Sequence, residues 1–137
     1  MGKFQLGYTT GVFDVIHKGH LNILRNAKAL CDTLIVGVST DELVEKKGKK
    51  AIVPFEERVE LVRNLQQVDS AIPQVTTDKY EEWKKLKFDV VFVGDDWYNT
   101  EKWNSYEAQL NEVGVKVIYF PYTMGVSSTI RRGTINK

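Results

Sequence analysis

The amino-acid sequence predicts an α/β protein, a doubly wound domain on a five-stranded parallel sheet. Two apolar runs, at residues 33–38 and 88–93, are short and lack the alternation of a half-exposed strand. They indicate strands that are buried on both faces. Amphipathic stretches separate such runs, for example over residues 19–30, where apolar residues recur at helical spacing. Strands that alternate with helices in this way predict a parallel sheet with right-handed crossovers.

The strand predictions follow from short apolar runs that lie next to a glycine or a proline. Gly11 closes the first run, Pro73 ends the third, and Gly114 precedes the last. The five predicted strands cover residues 5–10, 33–38, 68–72, 88–93 and 115–120.

The helix predictions follow from capping residues and apolar stripes. Ser39 and Thr40 precede two acids, as at a helix start, and Pro54 suits the first turn of the next helix. Thr77 or Asp78 is suited to cap a later one. The predicted helices cover residues 19–30, a segment from about 40, then 54–67, 78–86 and 103–113, and a last segment from 127 that follows a loop over 121–126.

The bulk composition indicates a globular protein, and an enzyme of this composition is expected to act on soluble substrates. The 137 residues suit one domain over positions 1–137, with 42% apolar and 27% charged residues. A net charge of +1 lacks the basic excess of nucleic-acid and membrane surfaces, so neither partner is expected. No apolar run reaches the ~18 residues of a membrane span. The single cysteine, Cys31, is expected to be a buried hydrophobe, and it fits a cytoplasmic protein without disulfides.

Both histidines of the chain lie where the loop after the first strand becomes a helix. His17 and His20 are three positions apart, which places them on one face of a helical turn. The helix N-terminus offers free N–H groups to an anion, and Gly11 and Gly19 let the backbone approach a bulky ligand. Since doubly wound folds bind ligands beyond the carboxyl ends of their strands, the pair indicates a phosphate site there.

Other interpretations of the histidine pair stay open on the residues alone. The two rings could bond to each other in the core, or they could ligate a metal. The metal interpretation lacks ligands, because the chain has no third histidine and no cysteine cluster. A GxGxxG fingerprint is also absent, which disfavours a dinucleotide-dependent redox enzyme.

Residues 11–20 resemble the HxGH signature of the nucleotidyltransferase superfamily, to which class I aminoacyl-tRNA synthetases also belong. Further segments occur in the order found in glycerol-3-phosphate cytidylyltransferases, over nearly the whole chain. These segments are residues 39–42, the lysine loop at 45–50, 54–58, 68–69, 94–97 (GDDW) and 125–129 (GVSST). The resemblance implies a Rossmann-like fold. It also implies transfer of CMP from CTP to a phosphorylated alcohol, foremost glycerol 3-phosphate, with release of pyrophosphate, as in the supply of CDP-glycerol for cell-wall or capsule polymers.

The resemblance assigns catalysis to His17, His20 and Lys47. An ionised phosphate acceptor needs no strong base, so positioning and charge stabilisation by such donors carry the reaction. A Ser-Ser-Thr helix start is suited to act as a cap and a phosphate cradle at once. The residues implied to bind CTP come from the first loop and the later motifs: Gly11, Val12, Phe13, His17, Gly19, His20, Lys49, Asp96, Gly125, Val126, Ser127, Ser128 and Thr129.

The residues implied to bind the phosphorylated alcohol are spread along the chain. They are Asp14, Lys47, Arg58, Lys79 and Trp97. A solvated charge run is the alternative for the lysine loop, and Arg58 could equally be a surface residue of its helix. A lone Asp-Trp at 96–97 more often caps and packs, and Trp103 is expected only to pack.

Some positions depart from the pattern of the resembling enzymes. Val12 replaces a threonine, while Gln66 and Tyr122 stand in segments that usually carry an arginine, a loss that Arg131 or Arg132 could offset. About half a dozen residues are inserted around positions 98–103, close to the expected acceptor site. Another acceptor, such as a phosphocholine-like compound or a sugar or polyol phosphate, therefore stays open. So do an adenylyltransferase of the same superfamily and a non-catalytic nucleotide-binding regulator.

The expected partners are CTP and a small phosphorylated alcohol. Mg²⁺ is expected as cofactor, held mainly by the CTP phosphates and water, so no metal site made by the protein is expected. The resemblance further implies a homodimer.

Overall fold

The structure is a computed structural model that describes residues 3–94 and 97–121. Strands and helices alternate along the described chain, apart from two successive helices after the second strand. The strands are β1 (Phe4–Gly11), β2 (Cys31–Ser39), β3 (Ser70–Gln74), β4 (Val90–Gly94) and β5 (Lys116–Phe120). The helices are α1 (Lys18–Ala29), α2 (Asp41–Lys46), α3 (Phe55–Arg63), α4 (Lys79–Leu86) and α5 (Glu101–Glu112).

The five strands form one parallel sheet in the order β3-β2-β1-β4-β5. The longest pairing joins β1 to β2, from Phe4 opposite Cys31 to Gly11 opposite Val38. The chain moves outward to β3 on one side of β1 and then returns to place β4 on the other side. The strand order therefore reverses between β1 and β4. The predicted doubly wound, five-stranded parallel sheet is confirmed.

Alternate residues of the strands supply two separate hydrophobic cores. On β4, Val90 and Phe92 belong to one core, and Val91 and Val93 belong to the other. The first core contains apolar residues of α1 and α3, and the second contains those of α4 and α5. Because successive side chains of a strand point to opposite faces, these two helix pairs cover opposite faces of the sheet. The central strands are apolar without alternation for this reason.

Element ends differ from the predictions where local bonds decide them. Pro73 lies within β3 instead of ending it, which is tolerated because β3 is an edge strand and proline lacks only an N–H donor. The helix predicted over 54–67 ends at Arg63, and the side-chain amide of Asn64 donates to the Glu60 carbonyl 2.8 Å away. The loop predicted from residue 45 begins only at Lys47, since α2 includes Glu45 and Lys46.

Capping residues and the cysteine lie as the sequence predicts. Thr40 caps α2 by accepting from the backbone N–H of Leu43, and Asp78 caps α4. Cys31 is fully buried at the start of β2. Within residues 3–94 and 97–121, no helix combines the length and the apolar character needed to cross a bilayer.

Candidate active site

A cavity of about 320 Å³ opens at the carboxyl ends of β1 and β4. This is the crevice where the strand order reverses, the place at which open α/β sheets bind their ligands. Strand ends form the floor of the cavity, and helices from both faces of the sheet form its walls. The described lining residues are Thr9, Thr10, Gly11, Val12, Phe13, His20, Ile23, Leu24, Ser39, Lys47, Gln74, Thr77, Lys79, Phe92, Val93, Gly94, Trp97, Lys102, Trp103 and Tyr106.

The two histidines form the capping box of α1. His17 is the N-cap, and its Nδ1 accepts a hydrogen bond of 3.1 Å from the backbone N–H of Gly19. The Nδ1 of His20 accepts in turn from the backbone N–H of His17, at 3.2 Å. A neutral imidazole that accepts at Nδ1 carries its proton on Nε2. The helix start therefore fixes both tautomers, and each ring keeps an Nε2–H donor.

The environment of His20 keeps its ring neutral. Burial, and then the neighbouring His17, lower the pKa of His20 from its ordinary 6.5 to about 4. The centroids of the two imidazole rings are 4.1 Å apart. At neutral pH His20 is thus an uncharged hydrogen-bond donor on the cavity wall, a form that binds a phosphate oxygen without adding a charge.

Two glycines and one strained residue shape the loop that leads to the histidines. A Cβ at Gly19 would lie 2.9 Å from Cε1 of His17, so any other residue would displace the capping ring. A Cβ at Gly11 would lie 2.8 Å from the ring of Phe13. Phe13 itself has φ of 56°, in the left-handed region that costs energy for a bulky side chain. Its ring is buried against His20, with centroids 5.2 Å apart.

Three lysines from three different parts of the fold also line the cavity. Lys47 follows α2, Lys79 begins α4, and Lys102 lies in the first turn of α5. Burial lowers the pKa of Lys47, and the charges of Lys49, Lys79 and Lys102 lower it further. Cations that depress one another's pKa in this way mark a site of positive potential, which attracts phosphate.

Lys79 is held at the cavity wall by a buried network. It is 3% exposed, and its Nζ lies 2.9 Å from a carboxylate oxygen of Glu82. The other oxygen of Glu82 accepts from the hydroxyl of Tyr8 at 2.6 Å. Burial lowers the pKa of Lys79, and Glu82 opposes that shift. Glu82 thus pairs with a buried lysine and holds it in a fixed position.

Arg58 does not reach the cavity, which corrects its predicted contact with the acceptor. Its side chain is fully buried, and three of its N–H groups donate to the carbonyls of Val12, Ser39 and Val53, each at 2.8 Å. A fourth pairs with the carboxylate of Asp41. The guanidinium therefore binds the protein's own loops together beneath the site.

Asp14 and Lys49 also lie away from the cavity lining. The carboxylate of Asp14 accepts from the backbone N–H groups of Ile52 and Val53, at 3.0 and 2.9 Å, and these bonds lower its pKa. Asp14 therefore joins the first loop to the segment after the lysines instead of facing the acceptor. Lys49 is exposed, and its charge acts on the site from outside the lining.

The remaining predicted residues divide into three groups. Those in the cavity lining are Gly11, Val12, Phe13, His20, Lys47, Lys79 and Trp97. His17 and Gly19 lie beside it, in the capping turn. The predictions for Asp96, Gly125, Val126, Ser127, Ser128 and Thr129 fall outside the described residues.

The prediction from sequence missed the wall that α5 contributes. Lys102 and Tyr106 were not singled out, and Trp103, expected only to pack, is both 6% exposed and part of the cavity lining. The inserted segment around 98–103, close to the expected acceptor site, was the one available signal.

The chain is similar to known proteins in sequence and in fold. The model of the cytidylyltransferase-like family matches residues 8–133. The chain is 36% identical over 122 residues to the glycerol-3-phosphate cytidylyltransferase of Bacillus subtilis (strain 168), which covers 88% of this chain and 89% of that protein. It is 34% identical over 122 residues to the enzyme of the same name from Staphylococcus aureus (strain NCTC 8325 / PS 47), with 88% and 87% covered. A lipopolysaccharide core biosynthesis protein from Thermoplasma volcanium GSS1 has a similar solved structure, with a TM-score of 0.73 and 29% identity over 88% of this chain and 97% of that one.

Proposed function

Since this chain belongs to the cytidylyltransferase-like family, we propose that it transfers CMP from CTP to glycerol 3-phosphate and so forms CDP-glycerol and pyrophosphate. It is a nucleotidyltransferase, and its relatives are named for this reaction. The observation that carries the proposal is a cavity at the reversal of strand order that is lined by a neutral histidine and three lysines.

The reaction is a displacement at the α-phosphorus of CTP. A phosphate oxygen of glycerol 3-phosphate forms the new bond to that phosphorus, and the bond to the bridging oxygen of the β-phosphate breaks. Pyrophosphate leaves with the electron pair of that bond. The nucleophile is already ionised near neutral pH, because the second pKa of such a phosphate is about 6. The protein therefore has to position two anions and to stabilise the charge that moves between them.

The histidines are suited to the charge that develops on the nucleotide. His20 lines the cavity as a neutral ring, and its Nδ1 is already bound to the backbone. Because Nδ1 is engaged in this way, Nε2–H is the atom that we propose donates to a ligand oxygen, and His17 beside it accepts at Nδ1 in the same way. Preorganised donors of this kind need no rearrangement when the transition state forms, which is why they accelerate such reactions.

The positive charge of the cavity favours an acceptor in which the phosphate is attached to an uncharged polyol. The described lining contains Lys47, Lys79 and Lys102 but neither an aspartate nor a glutamate. A phosphocholine-like acceptor would bring its quaternary ammonium group close to these cations. Glycerol 3-phosphate offers hydroxyl groups instead, for which Thr77, Gln74 and Tyr106 supply partners in the same lining.

Mg²⁺ is proposed to enter as part of the nucleotide substrate. The described lining supplies ammonium and imidazole groups, which attract phosphate oxygens, and not the carboxylates that Mg²⁺ prefers. We expect the ion to be held by the CTP phosphates and by water. Activity should therefore require Mg²⁺, and full activity in excess chelator would contradict this role.

The proposed reaction is tested by a pyrophosphate-release screen. Four nucleoside triphosphates are each combined with glycerol 3-phosphate, phosphocholine, phosphoethanolamine and a panel of sugar phosphates. We expect release only with CTP and most rapidly with glycerol 3-phosphate, since sites that bond a base edge reject the wrong base by ~10⁴-fold. If ATP is turned over as fast as CTP, the protein is not a cytidylyltransferase. If phosphocholine reacts faster than glycerol 3-phosphate, phosphocholine is the acceptor.

Two further properties are proposed on the resemblance to these enzymes. The first is a homodimer, for which sedimentation equilibrium is the measurement. The second is a cytoplasmic location, where CTP is available and where the buried thiol of Cys31 would stay reduced.

A further inference from the structure

Lys102 is a cavity residue that has no counter-charge among residues 3–94 and 97–121. It lies in the first turn of α5, a helix capped by the Thr100 hydroxyl, which accepts from the N–H of Trp103. No carboxylate in the described part of the chain pairs with Lys102 or with Lys47, whereas Lys79 is neutralised by Glu82. A cation on a cavity wall with no carboxylate partner in the described part of the chain is a candidate for contact with an anionic ligand.

The charges around Lys102 match one particular anion. Lys79 pairs with Glu82, whereas Lys47 and Lys102 line the same part of the cavity with no carboxylate partner among the described residues. A phosphate monoester carries close to two negative charges above its second pKa of about 6. Lys102 is near enough to the other two lysines to lower the pKa of both Lys47 and Lys79.

The position of Lys102 separates it from the histidines. Residues of α1 pack into one core and those of α5 into the other, so the two helices approach the cavity from opposite faces of the sheet. Trp103, next to Lys102, lies under the ammonium group of Lys79 at 5.8 Å from the ring centroid. The first turn of α5 therefore builds one wall together with Lys79, away from the capping box.

We propose that Lys102 is a specificity-determining residue, whose ammonium group holds the phosphate dianion of the acceptor together with Lys47 and Lys79. The inference rests on the proposed function and adds to it a residue from the inserted segment. It predicts that α5, more than the loop between β1 and α1, determines which charge on the acceptor the enzyme prefers.

The test compares Lys102→Met with Lys116→Met. Methionine keeps the apolar stem and removes the charge, and Lys116 is an exposed lysine at the opposite end of the sheet. We expect Lys102→Met to raise the KM for glycerol 3-phosphate by ~10-fold, as for the loss of one charge-assisted contact. The KM for CTP and the melting temperature should stay close to wild type, and Lys102→Arg should restore most of the affinity.

The alternative outcomes are distinct. If Lys102→Met raises the KM for CTP instead, Lys102 contacts the triphosphate. If Lys116→Met raises the KM for glycerol 3-phosphate equally, the effect of Lys102 is a long-range electrostatic one and not a contact. Either result overturns the proposal. Charge reversal by Lys102→Glu should raise the KM for glycerol 3-phosphate further. It should also reduce the preference of the enzyme for glycerol 3-phosphate over phosphocholine.

A binding measurement separates this proposal from the proposed function. Glycerol 3-phosphate is titrated by calorimetry into wild type and Lys102→Met in the absence of nucleotide. If wild type releases no pyrophosphate yet binds glycerol 3-phosphate more tightly than the variant, the proposed function fails and the role of Lys102 stands. Equal binding by both proteins overturns the role of Lys102 whatever the activity.

Discussion

The side chains of His17 and His20 combine two tasks at the residue scale. Their Nδ1 atoms satisfy backbone N–H groups at the start of α1, and this leaves Nε2–H as the donor on each ring. Many enzymes use a separate carboxylate to orient a catalytic histidine. In this protein the backbone N–H groups at the start of α1 orient both rings instead, so the rings stay oriented as long as the helix is formed.

Replacement of either histidine by alanine should lower kcat by ~100-fold or more and change the KM for CTP much less, because a transition-state donor is lost. Steady-state kinetics of purified His17→Ala and His20→Ala would measure this. His17→Asn is the control for the cap, since asparagine is among the best N-cap residues. It should keep the melting temperature of wild type and still lose kcat. A folded His17→Ala variant with wild-type kcat would exclude the catalytic role.

The stability of the protein should fall as the pH drops from about 6.5 to about 4. The folded-state pKa of His20 is about 4, below the ordinary 6.5. Between these values the unfolded chain binds more protons than the folded one, so acid favours unfolding. Urea unfolding at pH 7 and pH 4.5 would show the loss. His20→Gln does not titrate and should lose less stability over the same interval; an equal loss in both proteins would contradict this assignment.

Arg58 shows how one residue of a helix organises several elements. From α3 it bonds the loop after β1, the end of β2 and the segment before its own helix. These loops carry Val12 and Ser39, both in the cavity lining. At the scale of elements, α3 therefore supports loops of the site although none of its own residues lines the cavity.

Substitution Arg58→Met should lower the free energy of unfolding by about 2–4 kcal/mol, because buried carbonyls lose their donors. Urea denaturation measures the change. Arg63→Met, in the exposed last turn of the same helix, is the matched control and should change stability by less than about 0.5 kcal/mol. If Arg58→Met is as stable as wild type and has a raised KM for the acceptor, the result would instead support the direct contact between Arg58 and the acceptor that the sequence predicts.

Residue patterns predicted the elements well and the partners of long side chains poorly. Apolar runs and caps such as Asp78 are local, so β2 and the start of α4 could be predicted. Arg58 and the carbonyl of Val12 are 46 positions apart, and nothing in either segment reveals that they meet. Lys102 joins Lys47 and Lys79 only through the packing of α5 on the sheet. A sequence thus indicates which residues are able to bind phosphate, while the fold decides which of them face it.

At the scale of the whole molecule, the cavity lies between two independently packed cores. Phe13 and Leu24 belong to the core of α1 and α3, and Trp103 belongs to the core of α4 and α5. Both cores contribute to the cavity lining. A bound nucleotide should therefore stabilise the entire fold and not one helix.

Saturating CTP with Mg²⁺ should raise the melting temperature by several degrees. A ligand at 100 times its Kd adds about 2.7 kcal/mol when it binds only the folded state. Differential scanning fluorimetry with CTP, ATP and pyrophosphate would measure this. The shift with ATP tests whether the base matters, and the shift with pyrophosphate tests how much the phosphate charge contributes by itself. Equal shifts with ATP and CTP would show that the site does not discriminate between bases.

The separate cores have a consequence for how such a protein diversifies. The helix start that presents the histidines and the helix that presents Lys102 share no core, so changes in one disturb the packing of the other little. A duplicated gene could accumulate substitutions along α5 and recognise a new phosphorylated alcohol, while the residues that we propose bind CTP stay unchanged. Grafting an α5 from a homologue with a different acceptor would reproduce that history in a single step.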